Sequence, residues 1–128
     1  IDSLRDSDGQ WRVRSHTGDP EKTKQSGIRT LDWLSEVQNR GAGEVVLNCM
    51  ASDGTRDGYD IEQLSAARAD CHVPLIASGG AGTVQHFIDV FQCCDVDGAL
   101  AASVFHKNIL PVPILKQHLS QHGISIRL

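Results

Sequence analysis

Short apolar runs alternate with amphipathic stretches along the chain, and this order predicts strands that alternate with helices. Four apolar runs have the length of strands and cover residues 1–4, 44–50, 73–78 and 98–102. Stretches with helical periodicity or helix signals cover residues 28–40, 60–71, 83–93, 103–107 and 113–122. The first helix carries Leu31, Leu34 and Val37 on one face and stops at Gly41. The second follows Asp60, whose side chain suits a helix N-cap.

A different pattern occupies the segment between the first strand and the first helix. Residues 6–9, Asp-Ser-Asp-Gly, are a turn signal. Residues 11–16 then alternate with a period of two, which predicts a hairpin arm over one mouth of the domain. Residues 17–27 include Gly18, Pro20 and several charges, and we expect them to form a polar loop.

The order of strand then helix predicts one α/β domain over residues 1–128 with a parallel sheet. Residues 44–50 are nearly all apolar, which is typical of a strand buried on both faces. Four strand–helix units fit a small open sheet or half of a (βα)8 TIM barrel; a whole barrel needs about 250 residues. The length of the chain does not distinguish between these two folds. The chain begins Ile1-Asp2-Ser3 without a methionine, and we expect it to be part of a longer protein.

Composition excludes several classes of function. The 128 residues carry a formal net charge of −4 and no large basic cluster, so we expect no nucleic-acid partner. No apolar run approaches the ~18 residues of a membrane span. The scattered histidines predict neither a metal site nor another cofactor. The cysteines show no disulfide framework and no zinc-ligand spacing, which favours reduced thiols in a cytoplasmic protein; they are Cys49, Cys71, Cys93 and Cys94.

Two successive strand ends carry small residues in a pattern that indicates phosphate binding. Ser78, Gly79 and Gly80 end the third strand, and Ala102 and Ser103 end the fourth. In parallel barrels, turns of this kind bind phosphate because glycine lets the backbone approach the anion and backbone N–H groups point at it. The alternative is that these residues form ordinary turns that connect a strand to a helix and bind nothing. Two such turns together favour phosphate binding.

Polar residues near strand ends are further candidates. Asp2 is an acid or base at the barrel mouth, or it pairs with an arginine such as Arg5. Asp53 follows the second strand, at the end where parallel barrels carry active sites; a simple turn aspartate is the alternative. Asn48 is polar within an apolar strand and is a candidate substrate-binding residue. Glu44 lies at the opposite end of that strand, where a charge is usually solvated or paired.

The chain resembles the cyclase subunit of imidazole glycerol phosphate synthase, an enzyme of histidine biosynthesis. Five motifs carry the resemblance: Gly-Ala-Gly-Glu at 41–44, Asp-Gly-Thr at 53–55, Gly-Tyr-Asp at 58–60, Ile-Ala-Ser-Gly-Gly-Ala-Gly at 76–82 and Ala-Leu-Ala-Ala-Ser-Val-Phe-His at 99–106. It covers essentially the whole chain in register. The phosphoribosyl-formimino isomerase family shares the Asp-Gly-Thr loop but differs at the Gly-Tyr-Asp and Ala-Ser-Val-Phe-His motifs.

The resemblance implies a (βα)8 barrel of which this chain is the C-terminal half, strands 5–8. The family takes ammonia from a glutaminase partner and converts a phosphoribulosyl-formimino aminoimidazole ribonucleotide to imidazole glycerol phosphate and aminoimidazole carboxamide ribotide. By resemblance, Asp2 is one of two essential acid/base carboxylates, Asp53 supports it near the substrate, and Glu44 belongs to a charged ring at the ammonia entrance. One of two substrate phosphate sites falls on Ser78, Gly79, Gly80, Ala102 and Ser103.

The resemblance also implies that one copy of the chain lacks essential parts. The second carboxylate and the second phosphate site belong to family strands outside this sequence, and Ala51 replaces an acidic residue found in some relatives. We therefore expect the half alone to bind phosphate without lyase activity. The alternatives are an oligomerising half-barrel scaffold and a phosphate-binding module without catalysis. Four strands would leave two unpaired edges and an exposed apolar face, which favour self-association.

Overall fold

The computed structural model describes residues 1–128 and contains six strands and five helices. The strands are β1 (Asp2–Arg5), β2 (Trp11–Ser15), β3 (Lys24–Arg29), β4 (Val45–Cys49), β5 (Leu75–Ser78) and β6 (Gly98–Leu100). The helices are α1 (Thr30–Asn39), α2 (Ile61–Asp70), α3 (Val84–Cys94), α4 (Ser103–His106) and α5 (Val112–Gln121). None of these helices combines the length and the apolar character needed to cross a bilayer.

All six strands form one sheet in the order β3-β2-β1-β4-β5-β6. Strands β1, β4, β5 and β6 are parallel neighbours, and a helix separates each from the next along the chain, which confirms the predicted α/β fold. The register aligns Asp2 with Asn48, Asn48 with Ser78, and Ser78 with Leu100. Because aligned residues of neighbouring strands point to the same face, these four side chains form one row across the sheet.

The helices cover one face of the sheet, and the opposite face is exposed. On β4, Val45, Leu47 and Cys49 are buried, whereas Val46 is 37% exposed. The prediction that this strand is buried on both faces is therefore wrong, because successive side chains alternate between faces and only one set meets the helices. The largest fully buried side chains of the core include Phe87, Leu34, Leu47, Leu64, Leu75 and Leu119.

The predicted hairpin arm pairs with β1, but a further strand lies where a loop was expected. β2 runs antiparallel to β1, and β3 runs antiparallel to β2. The prediction of a polar loop over residues 17–27 is wrong at β3, and α1 begins at Thr30 instead of residue 28. All six residues of β3 are exposed, so no apolar alternation marks this strand in the sequence. β1 therefore has neighbours on both sides, and the free edges of the sheet are β3 and β6.

Helix ends follow the local signals in the sequence. Asp60 is the N-cap of α2, as predicted, and its Oδ1 accepts from the backbone N–H of Gln63 at 2.9 Å. Gly41 follows Arg40, the C-cap residue of α1, and has a φ of +91°, a conformation that glycine adopts without strain. Asp60 therefore marks the end of the loop at the carboxyl edge of the sheet, whereas Gly41 lies at the opposite edge, before β4.

Candidate functional site

A row of polar side chains crosses three parallel strands. The amide of Asn48 on β4 donates to Asp2 Oδ1 on β1 at 3.0 Å. The hydroxyl of Ser78 on β5 donates to Asn48 Oδ1 at 3.1 Å. The hydroxyl of Thr17 donates to Asp2 Oδ2. Both carboxylate oxygens of Asp2 are therefore held by donors, and Asn48 connects this carboxylate to the glycine-rich turn.

Asp2 does not form the ion pair with Arg5 that the sequence left open. Both Nη groups of Arg5 donate to Glu62 on α2 at 3.0 Å, so this guanidinium points towards the helical layer. Asp2 instead lies in the row with Asn48, on the face that the helices leave open. Its partners there are neutral donors, which orient a carboxylate without neutralising it.

A small cavity of about 110 Å³ lies beyond the carboxyl ends of β5 and β6. Six residues predicted from the sequence line it: Asp53, Ser78, Gly79, Gly80, Ala102 and Ser103. The other lining residues are Gly54, Arg56, Ala81, Leu100 and Ala101. The volume is smaller than the roughly 300–1,000 Å³ of pockets for drug-sized ligands, so the cavity suits a small group of atoms rather than a whole nucleotide.

Three predicted site residues lie outside this cavity lining. Asp2 and Asn48 are connected to it by the hydrogen bond from Ser78. Glu44 directly precedes β4, at the opposite end of the sheet, where it is exposed and forms no ion pair. The structure thus brings all the predicted site residues except Glu44 to one end of the sheet.

Gly79 and Gly80 allow the turn after β5 to contact the loop between β4 and α2. Their φ angles are +97° and +107°. A Cβ atom at Gly79 would lie 2.8 Å from the carbonyl oxygen of Cys49, and one at Gly80 would lie 2.0 Å from that of Gly58. The N–H of Gly58 also donates to the Gly80 carbonyl at 2.8 Å. Neighbouring backbone therefore requires both glycines, a constraint that the sequence analysis did not identify.

Tyr59 fixes the end of the same loop against β6. Its hydroxyl donates to the Leu100 carbonyl at 3.0 Å, and its ring packs edge-on against Phe87 with 5.7 Å between ring centroids. Burial raises the pKa of Tyr59, so the hydroxyl keeps its proton and remains the donor. The loop is consequently held against both strand ends that form the cavity.

Arg56 is the one charged residue of the cavity lining that was not predicted from the sequence. It lines the cavity, and its Nε donates to Ser103 Oγ at 3.3 Å. Its φ is +62°, a left-handed conformation that is uncommon outside glycine. The available signal was an arginine between the Asp-Gly-Thr and Gly-Tyr-Asp motifs. The direction of its side chain depends on the left-handed backbone, which the sequence pattern does not indicate.

The titratable groups around the site differ in what they can do. Burial raises the pKa of the Cys49 thiol to about 12, so this thiol is protonated near neutral pH and is a poor nucleophile. No group of three or more histidine, cysteine, aspartate or glutamate side chains is arranged to hold a metal ion. Asp2 in the row is a carboxylate capable of proton transfer, and Arg56 is the one cation that lines the cavity.

Comparison with known proteins connects this geometry to a family. The family model described as "Histidine biosynthesis protein" matches residues 2–111. The chain is 65% identical over 127 residues to the imidazole glycerol phosphate synthase subunit HisF of Xanthomonas oryzae pv. oryzae (strain MAFF 311018), and 65% identical to that of Xylella fastidiosa (strain M12). The HisF of Xanthomonas axonopodis pv. citri (strain 306) is 64% identical. Each alignment covers 99% of this chain and 49% of the relative, so the chain spans about half the length of these relatives.

Proposed function

The chain belongs to the histidine biosynthesis protein family, and we propose that it is the C-terminal half, strands 5–8, of the cyclase subunit of imidazole glycerol phosphate synthase. The single observation that carries the functional part of this proposal is the cavity beyond β5 and β6. Residues that are far apart in sequence, Asp53, the turn at 78–80 and the pair at 102–103, line it together. Parallel barrels place their active sites at this end of the strands.

The cavity binds one phosphate group of the substrate in this proposal. The backbone N–H groups of Gly80 and Ala81 have no acceptor within the chain, and both residues line the cavity. Ser103 contributes a hydroxyl, and a phosphate oxygen accepts from donors of both kinds. Asp53 is acceptor-only when ionised, so it binds a substrate hydroxyl or N–H group rather than the phosphate.

Asp2 acts as an acid or base on the part of the substrate that lies over the row. The donors from Thr17 and Asn48 fix the orientation of its carboxylate, which is the requirement for directed proton transfer. A reaction that needs one group to donate a proton while another accepts it needs a second titratable group. The row contains no second carboxylate, so we expect the half alone to bind phosphate and to have negligible lyase activity.

The full barrel would receive ammonia from a glutaminase subunit at the opposite end of the sheet. Glu44 is placed there, which is consistent with a role at an ammonia entrance. The substrate would be a phosphoribulosyl-formimino aminoimidazole ribonucleotide, and the products would be imidazole glycerol phosphate and aminoimidazole carboxamide ribotide. We expect this work to take place in the cytoplasm and to need no metal or other cofactor.

Calorimetry with inorganic phosphate and an ammonia-dependent cyclisation assay test this proposal. The 128-residue chain is expected to bind phosphate and the bisphosphorylated substrate, with negligible turnover of the latter. A Ser103→Ala variant should bind both ligands more weakly, whereas Ser15→Ala on the exposed end of β2 should not change binding. Turnover at the rate of a full barrel would contradict the inactivity of the half. Absence of phosphate binding would contradict the assignment of the cavity.

A second candidate function is that of an oligomerising scaffold, or of a phosphate-binding module without catalysis. The exposed face favours self-association, because Val46 is 37% and Leu100 is 45% exposed there, and β6 is a free edge. Light scattering over a concentration series should then show a dimer or higher oligomer. A stable monomer at micromolar concentration would contradict self-association. Equal affinity for phosphate and for the bisphosphorylated substrate would favour the module.

A further inference from the structure

Arg56 differs from most arginines of this chain in lacking a carboxylate partner. Six of the other seven lie within 4.0 Å of an aspartate or glutamate: Arg5, Arg12, Arg14, Arg29, Arg40 and Arg68. Arg127 near the C-terminus is the remaining one. The only side-chain hydrogen bond of Arg56 is the one from Nε to Ser103 Oγ, so both Nη groups have no acceptor within the chain. An arginine at a cavity with free Nη groups is equipped to bind an anion.

The backbone around Arg56 fixes its position at the cavity. A Cβ atom at Gly82 would lie 2.2 Å from the carbonyl oxygen of Arg56 and 2.8 Å from its Cβ. The end of the glycine-rich turn therefore packs directly on Arg56, and only glycine leaves room for this contact. The left-handed φ of +62° at Arg56 is strained in a residue with a side chain. Close packing from the turn holds this conformation in place.

We propose that Arg56 is a ligand of the bound phosphate and favours the dianion of a phosphate monoester over anions of lower charge. The Nε bond to Ser103 places the guanidinium beside the two strand ends, and the Nη groups donate to phosphate oxygens. Charge-assisted hydrogen bonds of this kind are stronger than those from neutral backbone N–H groups. This inference rests on the phosphate site proposed above and adds to it the residue that supplies positive charge.

Calorimetry with inorganic phosphate tests this role in three variants of the full 128-residue chain. Arg56→Gln removes the charge, Arg56→Lys keeps it without the planar fork, and Arg56→Gly removes the side chain at a φ that glycine adopts without strain. We expect affinity to fall about 10-fold or more in the Gln and Gly variants and less in the Lys variant. Arg127→Gln, which removes an arginine outside the cavity, should leave affinity unchanged. The unsubstituted chain should bind phosphate, a dianion at pH 8, more tightly than the monoanion formate. This difference in affinity should shrink in Arg56→Gln and Arg56→Gly, which lack the guanidinium.

The outcomes separate this inference from the proposed function. If the unsubstituted chain binds phosphate and Arg56→Gly binds it equally well, the inference on Arg56 is overturned while the site stands. If the unsubstituted chain does not bind phosphate, the proposed site and this inference both fail. Circular dichroism of each variant shows whether it is folded. If Arg56→Gln unfolds, Arg56→Gly provides the test, because glycine adopts the left-handed backbone at position 56 without strain.

Discussion

The sheet has a hairpin side, formed by β2 and β3, and a cavity side, formed by β5 and β6. Gly9 on the hairpin side and Gly80 on the cavity side serve different structural purposes. Both have positive φ, +81° at Gly9 and +107° at Gly80. A Cβ atom at Gly9, in the turn of the hairpin, would meet nothing within 4 Å, whereas one at Gly80 would lie 2.0 Å from the carbonyl of Gly58. Gly9 is therefore needed only for its φ angle. Gly80 is needed both for its φ angle and for a close backbone contact at the cavity.

The contrast extends to the strands around each glycine. On the hairpin side, β3 is fully exposed, and ion pairs connect Asp6 and Asp8 to Arg12 and Asp6 also to the buried Arg14. On the cavity side, three of the four residues of β5 are buried. An ion pair is lost when its carboxyl group is protonated, whereas buried backbone contacts tolerate almost no change in volume. The cavity side is thus held by close backbone packing, and the hairpin side is held by ion pairs that depend on pH.

Gly80→Ala is expected to have the largest effect. The new Cβ would strain a left-handed backbone and displace Gly58, for a combined cost of roughly 2–5 kcal/mol. Phosphate binding should be lost as well, because the turn and the loop would move apart. Urea unfolding and calorimetry measure the two effects. The matched variant Gly9→Ala carries the strain alone and should cost only about 1–2 kcal/mol. Equal costs for the two variants would contradict the difference in packing.

Ser3→Ala should have the next largest effect, since Ser3 lies where the two sides of the sheet meet. Its buried hydroxyl lies 2.6 Å from that of Thr30 on α1 and accepts from the amide of Gln63 on α2. Its removal leaves a buried amide without its acceptor, which costs about 1–3 kcal/mol. Thermal unfolding should show a drop of about 4 °C per kcal/mol. Ser15→Ala, at an exposed position of β2, should change little, and a similar drop there would contradict this account.

The sequence predicted the cavity side better than the hairpin side for a physical reason. The parallel strands and the turn at Ser78-Gly79-Gly80 are visible in the sequence as apolar runs and as glycines, because buried strands need apolar residues and tight turns need glycine. The N-cap Asp60 is equally local, since its carboxylate serves a backbone N–H only three residues away. Features that depend only on residues close together in the chain can therefore be predicted from a single sequence.

Features with non-local causes were missed. β3 exists through backbone pairing with β2 and buries none of its side chains, so no periodicity marks it. The direction of Arg56 follows from packing against Gly82, more than twenty residues along the chain, and from a left-handed φ. The need for Gly80 likewise comes from Gly58 on another loop. The sequence named the glycines of the turn, but only the fold shows which backbone approaches them.

Acid should open the hairpin side before it affects the cavity side. The side-chain hydrogen bond from Arg12 is the main cause that lowers the pKa of Asp8 to about 2, and it also lowers the pKa of Asp6. A carboxyl whose pKa is lowered by folding stabilises the fold above its unfolded value of 3.8 and loses that effect as pH falls towards 2. The indole NMR signal of Trp11 should therefore change between pH 4 and pH 2. Asp8→Asn should weaken this change; an identical titration in that variant would contradict the assignment.

Glu62→Gln is expected to have the smallest effect, although the pair that it breaks looks strong. Arg5 and Glu62 are joined by two bonds of 3.0 Å, but their side chains are 48% and 64% exposed. Solvent screening limits such a pair to about 0–1 kcal/mol. Arg5 also keeps its bond to the Gly9 carbonyl at 3.1 Å and its position over the Trp11 ring at 5.1 Å. Urea unfolding should thus show a smaller loss than in Ser3→Ala, and added salt should shrink it further. A loss as large as that of Ser3→Ala would mean that surface charge, rather than the buried contacts of Ser3, holds the hairpin to the helices.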